Sequence, residues 1–81
     1  MGDALTVTVR SERGVVIAAV TGEIDISTVA LLRERLFELA DDGGMLIVDL
    51  NRVTFIDSAG LGALVSTARR AAEHGGSLHA V

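Results

Sequence analysis

The chain has 81 residues and a formal net charge of −4, with seven Arg and no Lys. This length suffices for one domain with a small core. The Arg residues are scattered and do not form the clustered cationic face that nucleic-acid binding needs. The absence of Cys excludes disulfides and thiolate metal sites. Only two residues are aromatic, so the core must consist of Val, Leu, Ile and Ala, which favours a compact α/β domain.

No segment predicts membrane insertion. Residues 1–4 lack the basic region and the long apolar stretch of a signal peptide. The longest apolar run, Val15–Val20, is far shorter than the roughly 20 residues that span a bilayer. We therefore expect a soluble, cytoplasmic protein.

The first two predicted elements are strands joined by a tight turn. Residues 5–9 alternate between apolar and polar, which is typical of a strand with one buried face. Residues 11–14 form the turn, and Gly14 is available there for a positive φ. The continuous apolar run Val15–Val20 suits a strand that is covered on both faces. Together these segments predict an antiparallel hairpin.

A helix follows, with Asp25, Ser27 or Thr28 as its N-cap. Its apolar residues recur at spacings of 3, 4 and 3, which predicts one buried stripe of Val29, Leu32, Leu36 and Leu39. The charged residues off that stripe should face water: Arg33, Glu34 and Glu38. Residues 41–44 end the helix, because their paired glycines permit a left-handed cap.

The second half of the chain repeats the strand-then-helix pattern. Met45–Leu50 predicts a buried strand, which residues 54–56 extend after a turn at Asn51-Arg52. A second helix runs from about Ser58 to about His74, with a buried stripe of Leu61, Leu64 or Val65, Ala68, and Ala71 or Ala72. Gly75-Gly76 ends it, and residues 77–81 begin another strand. The order β-β-α-β-α-β implies parallel pairing with right-handed crossovers. If both crossovers step the same way, both helices lie on one face of the sheet.

The junction before the second helix carries a hydroxyl and two glycines. Gly60 and Gly62 each cost about 1 kcal/mol relative to Ala inside a helix. Tight packing against the sheet, or the close approach of a partner, would offset that cost. Ser58 could be a plain N-cap, although Asp57 can fill the same role.

A hydrolase nucleophile at Ser58 is a weak interpretation. The nucleophile elbow needs Gly two residues before the Ser, where this chain has Ile56. The base would have to be His74 or His79, which lie at a helix end and in a strand of the predicted fold.

A magnesium site is equally weak. The carboxylates of Asp25, Asp49 and Asp57 could form a cluster like that of phosphoacceptor response-regulator domains. Those domains use a Lys beside the acyl phosphate, and this chain has no Lys. It also lacks a Gly-x-x-x-x-Gly-Lys phosphate loop. We therefore expect no enzymatic activity, no metal and no cofactor.

The motif Asp57-Ser58-Ala59-Gly60-Leu61-Gly62, after the lead-in Val53-Thr54-Phe55-Ile56, resembles the hallmark of the STAS-domain anti-sigma-factor antagonists. Upstream, Gly22-Glu23-Ile24-Asp25, followed by Ser27-Thr28 and a helix, is similar to the second signature of that family. Both motifs are spaced as in the family, and the resemblance covers essentially all of the chain. It implies a single small STAS-type α/β domain over residues 1–81, with a mixed sheet, an N-terminal antiparallel hairpin and helices packed on the sheet.

The resemblance also implies a function. In this family the Ser of the hallmark motif, here Ser58, is phosphorylated by a serine kinase that is itself the anti-sigma factor. The unphosphorylated antagonist binds that kinase and frees a sigma factor, and the phosphorylated form does not bind. A metal-dependent serine phosphatase resets the switch. The implied partner-binding surface consists of Asp25, Asp57, Ser58, Ala59, Gly60, Leu61 and Gly62.

The local charges are consistent with such a switch. Phosphorylation adds about −1.5 to −2 charges. The helix N-terminus stabilises negative charge by about 0.3–1 kcal/mol, whereas the carboxylates of Asp57 and Asp25 repel it. The modified protein can thus stay folded while the field around Ser58 changes.

Two further expectations come from the family comparison. STAS modules also serve as regulatory subunits of lipid-handling ABC transporters and as tails of anion transporters, so a binding role unrelated to sigma factors is the alternative. Family members continue past the last strand with further helical sequence, which predicts a chain truncated at its C-terminus. We expect the exposed apolar surface to make the chain poorly stable or to pair it as a homodimer.

Overall fold

The computed structural model describes residues 5–81, and the expectations for residues 1–4 lie outside the described residues. The elements follow the predicted order: β1 (Thr6–Glu12), β2 (Val15–Ile24), α1 (Val29–Ala40), β3 (Met45–Ile56), α2 (Ser58–Glu73) and β4 (Ser77–Ala80). The strands form one sheet in the order β1-β2-β3-β4. β1 is antiparallel to β2, and the other neighbours are parallel. The predicted fold class is confirmed.

The hairpin between β1 and β2 is tighter than the sequence suggested. Glu12 pairs with Val15, so the loop contains only Arg13 and Gly14. Their φ values are 53° and 82°. Positive φ at both central residues matches the twist of a two-residue hairpin. The predicted four-residue turn is therefore wrong, because Ser11 and Glu12 continue the ladder.

One face of the sheet packs against both helices to form the core. Helix α1 buries Val29, Leu32, Leu36 and Ala40, and Leu39 packs against them half-buried. The strand residues of this core are Ala18, Val20, Ile24, Leu46 and Val48. Both crossovers step the same way across the sheet, so both helices lie on that face. The expectation that β2 is covered on both faces is wrong for the described chain: Val15, Ile17 and Ala19 remain partly exposed on the other face.

Helix α2 packs through its small residues, and the predicted stripe is displaced. Its buried residues are Gly60, Ala63, Thr67 and Ala71. Leu61, expected in the stripe, is 54% exposed. Of the alternatives left open, Leu64 packs against the core and Ala71 is buried, whereas Val65 and Ala72 are exposed. Leu64 and Ala68 are only partly buried. Small side chains let α2 lie close to the sheet, which turns the larger ones outward.

Strand β3 continues through the turn expected at Asn51-Arg52. Between the partner pairs Ala19↔Asp49 and Thr21↔Arg52, β2 advances two residues and β3 advances three. A second shift of the same kind follows before Glu23↔Phe55. These are β-bulges, each of which adds one residue to β3. The Asp49 carboxylate accepts hydrogen bonds from the main-chain N–H and the side-chain amide of Asn51, at 2.9 Å and 2.8 Å, and so stabilises the first bulge.

An ion pair joins the two helices at the end of the molecule remote from Ser58. The Arg70 guanidinium contacts both carboxylate oxygens of Asp41, at 2.7 Å and 3.1 Å. The Arg70 guanidinium carbon also lies 4.7 Å from the centre of the Phe37 ring. The hydrogen bond from Arg70 and its charge lower the pKa of Asp41 below its ordinary value. A two-pronged contact of this kind fixes how the last turns of α1 and α2 meet.

Candidate functional site

The ends of β2 and β3 bring the two sequence motifs together. Ile24 and Ile56, the last residues of these parallel strands, are partners in the register. The main-chain N–H of Asp57 donates to the carbonyl oxygen of Ile24 at 3.2 Å. Asp25 and Asp57 each follow one of these paired residues, so both lie at the same edge of the sheet. The two motifs, residues 22–25 and 57–62, are far apart in the sequence but lie at this one edge of the sheet. We call it the motif edge.

Asp57 caps helix α2 and leaves Ser58 at the surface. Asp57 has an extended backbone, and its carboxylate accepts a hydrogen bond from the N–H of Gly60 at 3.1 Å. Ser58 is the first residue of the helix and is exposed. The capping role that sequence reasoning left open between these two residues falls to Asp57. The Ser58 hydroxyl therefore stands at a helix N-terminus without serving as its cap.

Asp25 organises the loop that leads into α1. Its carboxylate accepts hydrogen bonds from the hydroxyl and the N–H of Ser27, at 2.7 Å and 2.9 Å, and from the N–H of Thr28 at 3.2 Å. The bond from the Ser27 hydroxyl is the main cause that lowers the pKa of Asp25, and the main-chain N–H groups add to it. Thr28 is the N-cap residue of α1, and its hydroxyl donates to the Glu23 carbonyl at 2.8 Å. Asp25 is thus held in its ionised form beside the start of α2.

The two helical glycines of the motif have different surroundings. A Cβ on Gly60 would lie 2.6 Å from Ile24 Cγ2 and 2.7 Å from Ile56 Cγ1, so Gly60 lets α2 touch the ends of both strands. A Cβ on Gly62 would meet no atom within 4 Å. Gly62 is exposed, as Ser58 and Leu61 are, whereas Ala59 between them is half-buried. Packing therefore explains Gly60 and does not explain Gly62.

Large apolar side chains are exposed around the motif edge. Leu61 and Val65 lie one turn apart on the outer face of α2. Ile26, in the loop after β2, is 80% exposed, and Phe55, near the end of β3, is 50% exposed. Sequence reasoning overlooked Ile26 and placed Leu61 in the core. The sequence did contain a signal for Ile26. It lies in a short polar loop that caps a helix, and such a loop is too short for its side chain to reach the core.

The charge of the motif edge is entirely negative. Residues 22–32 and 53–68 contain three carboxylates, those of Glu23, Asp25 and Asp57, and neither Arg nor Lys. The edge therefore has most of the formal net charge of −4. Such a surface attracts cationic partners and repels further negative charge.

The other polar residues considered from the sequence lie elsewhere. Asp49 is in the middle of β3, bonded to Asn51. His74 follows the 16-residue α2, about 24 Å along the helix from Ser58, and His79 is in β4. Within residues 5–81, no three His, Cys, Asp or Glu side chains are grouped so as to hold a metal ion. Neither helix of the described chain is long and apolar enough to cross a membrane.

Comparison with known proteins identifies the family of this chain. The family model of the STAS domain matches residues 6–81. The anti-sigma-F factor antagonist RsfB of Mycobacterium tuberculosis is 41% identical over 69 residues, which are 84% of this chain and 57% of that protein. The anti-sigma-B factor antagonist of Bacillus subtilis is 42% identical over 59 residues, covering 73% of this chain and 54% of that protein. This chain thus spans little more than half the length of these relatives.

Solved structures show the same architecture. An anti-sigma factor antagonist from Mycobacterium paratuberculosis superposes with a TM-score of 0.81 and 31% identity, over 95% of this chain and 68% of the other. The Bacillus cell fate determinant SpoIIAA in its phosphorylated form gives a TM-score of 0.71 at 22% identity, over 90% of this chain and 68% of the other, and shows a shared fold. From the match over residues 6–81 and the two motifs joined at one edge, the chain belongs to the STAS domain family.

Proposed function

We propose that this chain is the switch domain of an anti-sigma-factor antagonist. In its unphosphorylated form it binds an anti-sigma serine kinase and thereby frees a sigma factor, and phosphorylation at Ser58 prevents that binding. The observation that carries the proposal is the position of Ser58. It is exposed at the first residue of α2, while Asp57 makes the cap. The fold therefore gains nothing evident from this hydroxyl. Relatives named as antagonists of anti-sigma-F and anti-sigma-B factors support the same role.

The surroundings of Ser58 explain how one phosphate could act as a switch. The N-terminus of α2 stabilises a phosphate by about 0.3–1 kcal/mol, so the domain stays folded. The motif edge already has three carboxylates and neither Arg nor Lys. A phosphoryl group adds about −1.5 to −2 charges there and so increases the negative charge of the edge by roughly half to two thirds. Binding is then lost through charge and bulk at the interface, without a change of fold.

The chemistry of the switch belongs to the partners. The kinase transfers the γ-phosphoryl group of ATP to the Ser58 hydroxyl oxygen, which loses its proton, and ADP leaves. A serine phosphatase returns Ser58 to its hydroxyl form by hydrolysis and releases inorganic phosphate. The chain itself acts as a binding protein and substrate, in the cytoplasm, where sigma factors and ATP meet.

Intact-mass and peptide spectrometry tests the proposal. The protein is incubated with candidate anti-sigma serine kinases and Mg-ATP, beside a Ser58→Ala variant. Ser27→Ala and Thr54→Ala variants control for the other hydroxyls near the motif edge. We expect one phosphate on Ser58, its loss only in Ser58→Ala, and kinase binding by the unphosphorylated form alone. If no candidate kinase binds or modifies the protein, the alternative gains: a STAS module that regulates a lipid-handling ABC transporter.

A further inference from the structure

Gly62 is the residue of the motif that the fold leaves unexplained. It lies in the second turn of α2 with ordinary helical φ and is exposed. A methyl group at this position would contact nothing in the described chain beyond its two neighbours and the backbone of its own helix. Ala is strongly favoured over Gly inside an exposed helix. Stability alone would therefore select Ala at this position, whereas Gly60 is required by its contacts with Ile24 and Ile56.

We propose that Gly62 is the point where the main chain of the anti-sigma factor packs directly on α2. This inference rests on the proposed function, because it names the contact that the antagonist makes with its partner. A missing Cβ is useful where another backbone must come close, since side chains otherwise keep two elements apart. The exposed side chains of Leu61 and Val65 lie one turn apart next to Gly62 and supply apolar area beside the close contact.

The charge of the motif edge specifies the partner further. Glu23, Asp25 and Asp57 lie in segments that contain neither Arg nor Lys. A docking surface that complements them must present Arg or Lys around the main chain that lies on Gly62. The occupant is therefore a basic segment of the anti-sigma factor with small or apolar side chains at the contact.

The spacing of Gly62 and Ser58 links this contact to the switch. The two residues are four positions apart on α2, which places them on the same side, about 6 Å apart along the helix. A main chain that lies on Gly62 is thus beside the Ser58 hydroxyl. The same close approach brings a kinase to its substrate, and a phosphate on Ser58 then blocks renewed approach.

The test compares Gly62→Ala and Gly62→Leu with the wild type and two controls. Ala72→Leu adds a side chain to another exposed position of α2, about 15 Å further along the helix. Gly60→Ala adds a methyl group where the fold has no room. For each protein we would measure Tm, Kd for a cognate anti-sigma serine kinase, and kcat/KM for phosphorylation of Ser58.

We expect Gly62→Ala to raise Tm by about 4–8 °C and to weaken kinase binding about tenfold. Gly62→Leu should weaken binding more, and kcat/KM should fall in parallel. Ala72→Leu should bind as the wild type does, and Gly60→Ala should lower Tm. Unchanged Kd for both Gly62 variants, with a wild type that binds and is phosphorylated, overturns the inference and leaves the proposed function standing. A lower Tm for Gly62→Ala also overturns it, because Gly62 would then serve the fold. A wild type that no cognate kinase binds overturns the proposed function, and this inference with it.

Discussion

The main-chain N–H of Asp57 donates a hydrogen bond to the carbonyl oxygen of Ile24 at 3.2 Å, and this bond joins the two motif loops directly. Residues 33 positions apart in the sequence are thereby fixed at one edge of the sheet. Gly60 reinforces the junction, because only a residue without a Cβ lets α2 contact both Ile24 and Ile56. Asp25 and Ser58 each lie next to a residue of this bond, so a shift in one loop displaces the other.

The division of roles between Asp57 and Ser58 can be tested by stability. Asp57→Ala removes the hydrogen bond to the Gly60 N–H and should cost about 1 kcal/mol, seen as a Tm lower by about 4–8 °C. Ser58→Ala should change Tm by less than about 2 °C, because Ser58 is exposed and does not cap the helix. Asp57→Ser keeps a capping oxygen and should restore most of the loss. Equal losses for Asp57→Ala and Ser58→Ala would show that Ser58 shares the cap.

Acid should destabilise the domain partly through Asp41. Its pKa is lowered in the folded state by the hydrogen bond from Arg70. A group of this kind adds stability fully above its unfolded pKa of about 3.9 and loses that contribution as pH falls through the folded pKa. Asp41→Asn should therefore lower Tm at pH 7, and the difference from wild type should shrink below about pH 4. Thermal melts from pH 2 to pH 7 give the measurement, with the exposed neighbour Asp42→Asn as control. A constant difference at all pH values would contradict the role of the ion pair.

Leu61 and Leu36 offer a matched pair of leucines. Leu36 is fully buried, so Leu36→Ala should cost about 2–5 kcal/mol and be visible in a denaturant titration. Leu61 is 54% exposed, so Leu61→Ala should cost less than about 1 kcal/mol. Its effect should instead appear in binding to an anti-sigma kinase. A large loss of stability in Leu61→Ala would place this side chain in the core, as the sequence pattern suggested.

The turn between β1 and β2 contains a strained residue. Arg13 has a φ of 53°, a left-handed conformation that a residue with a long side chain seldom adopts. Asn tolerates this conformation, and Asn-Gly is the favoured pair for a two-residue hairpin. Arg13→Asn should therefore raise the free energy of unfolding by about 0.5–1 kcal/mol. Arg13→Val, which fits the conformation worst, should lower it. Denaturant unfolding curves give the free energy of unfolding of both variants. An Arg13→Val variant as stable as the wild type would argue against strain at this turn.

Periodicity and composition sufficed for the order of the elements, whereas the grouping of the two motifs was implied by the family resemblance. Three patterns are local: the alternation of apolar and polar residues in β1, the apolar stripe of α1, and the glycines that end the helices. Each one predicts its element without contacts from distant residues. The parallel pairing of β2 with β3 then brings Asp25 and Asp57 to one edge, whatever the details of the loops. This pairing is the physical reason for a grouping that the sequence analysis took from the resemblance.

The misplaced features depend on long-range contacts. Asn51 and Arg52 are polar residues that resemble a turn, yet they lie in bulges formed by pairing with a distant strand. In α2, hydropathy predicts that large residues such as Leu61 are buried. In the structure Gly60 and Ala63 are buried instead, because α2 packs closely against the sheet. Neither the register of β3 nor the closeness of the sheet to α2 is encoded within one segment.

The bulges make the length of β3 as important as its composition. With its extra residues, β3 ends level with β2, and Ile56 stands opposite Ile24. Removing one residue between Asp49 and Phe55 would exchange the inward and outward sides of everything up to the start of α2. The sequence of the motif would be unchanged, but Ser58 would have a different orientation. An intact hallmark sequence in a relative with a shorter β3 is therefore no sign of an intact switch.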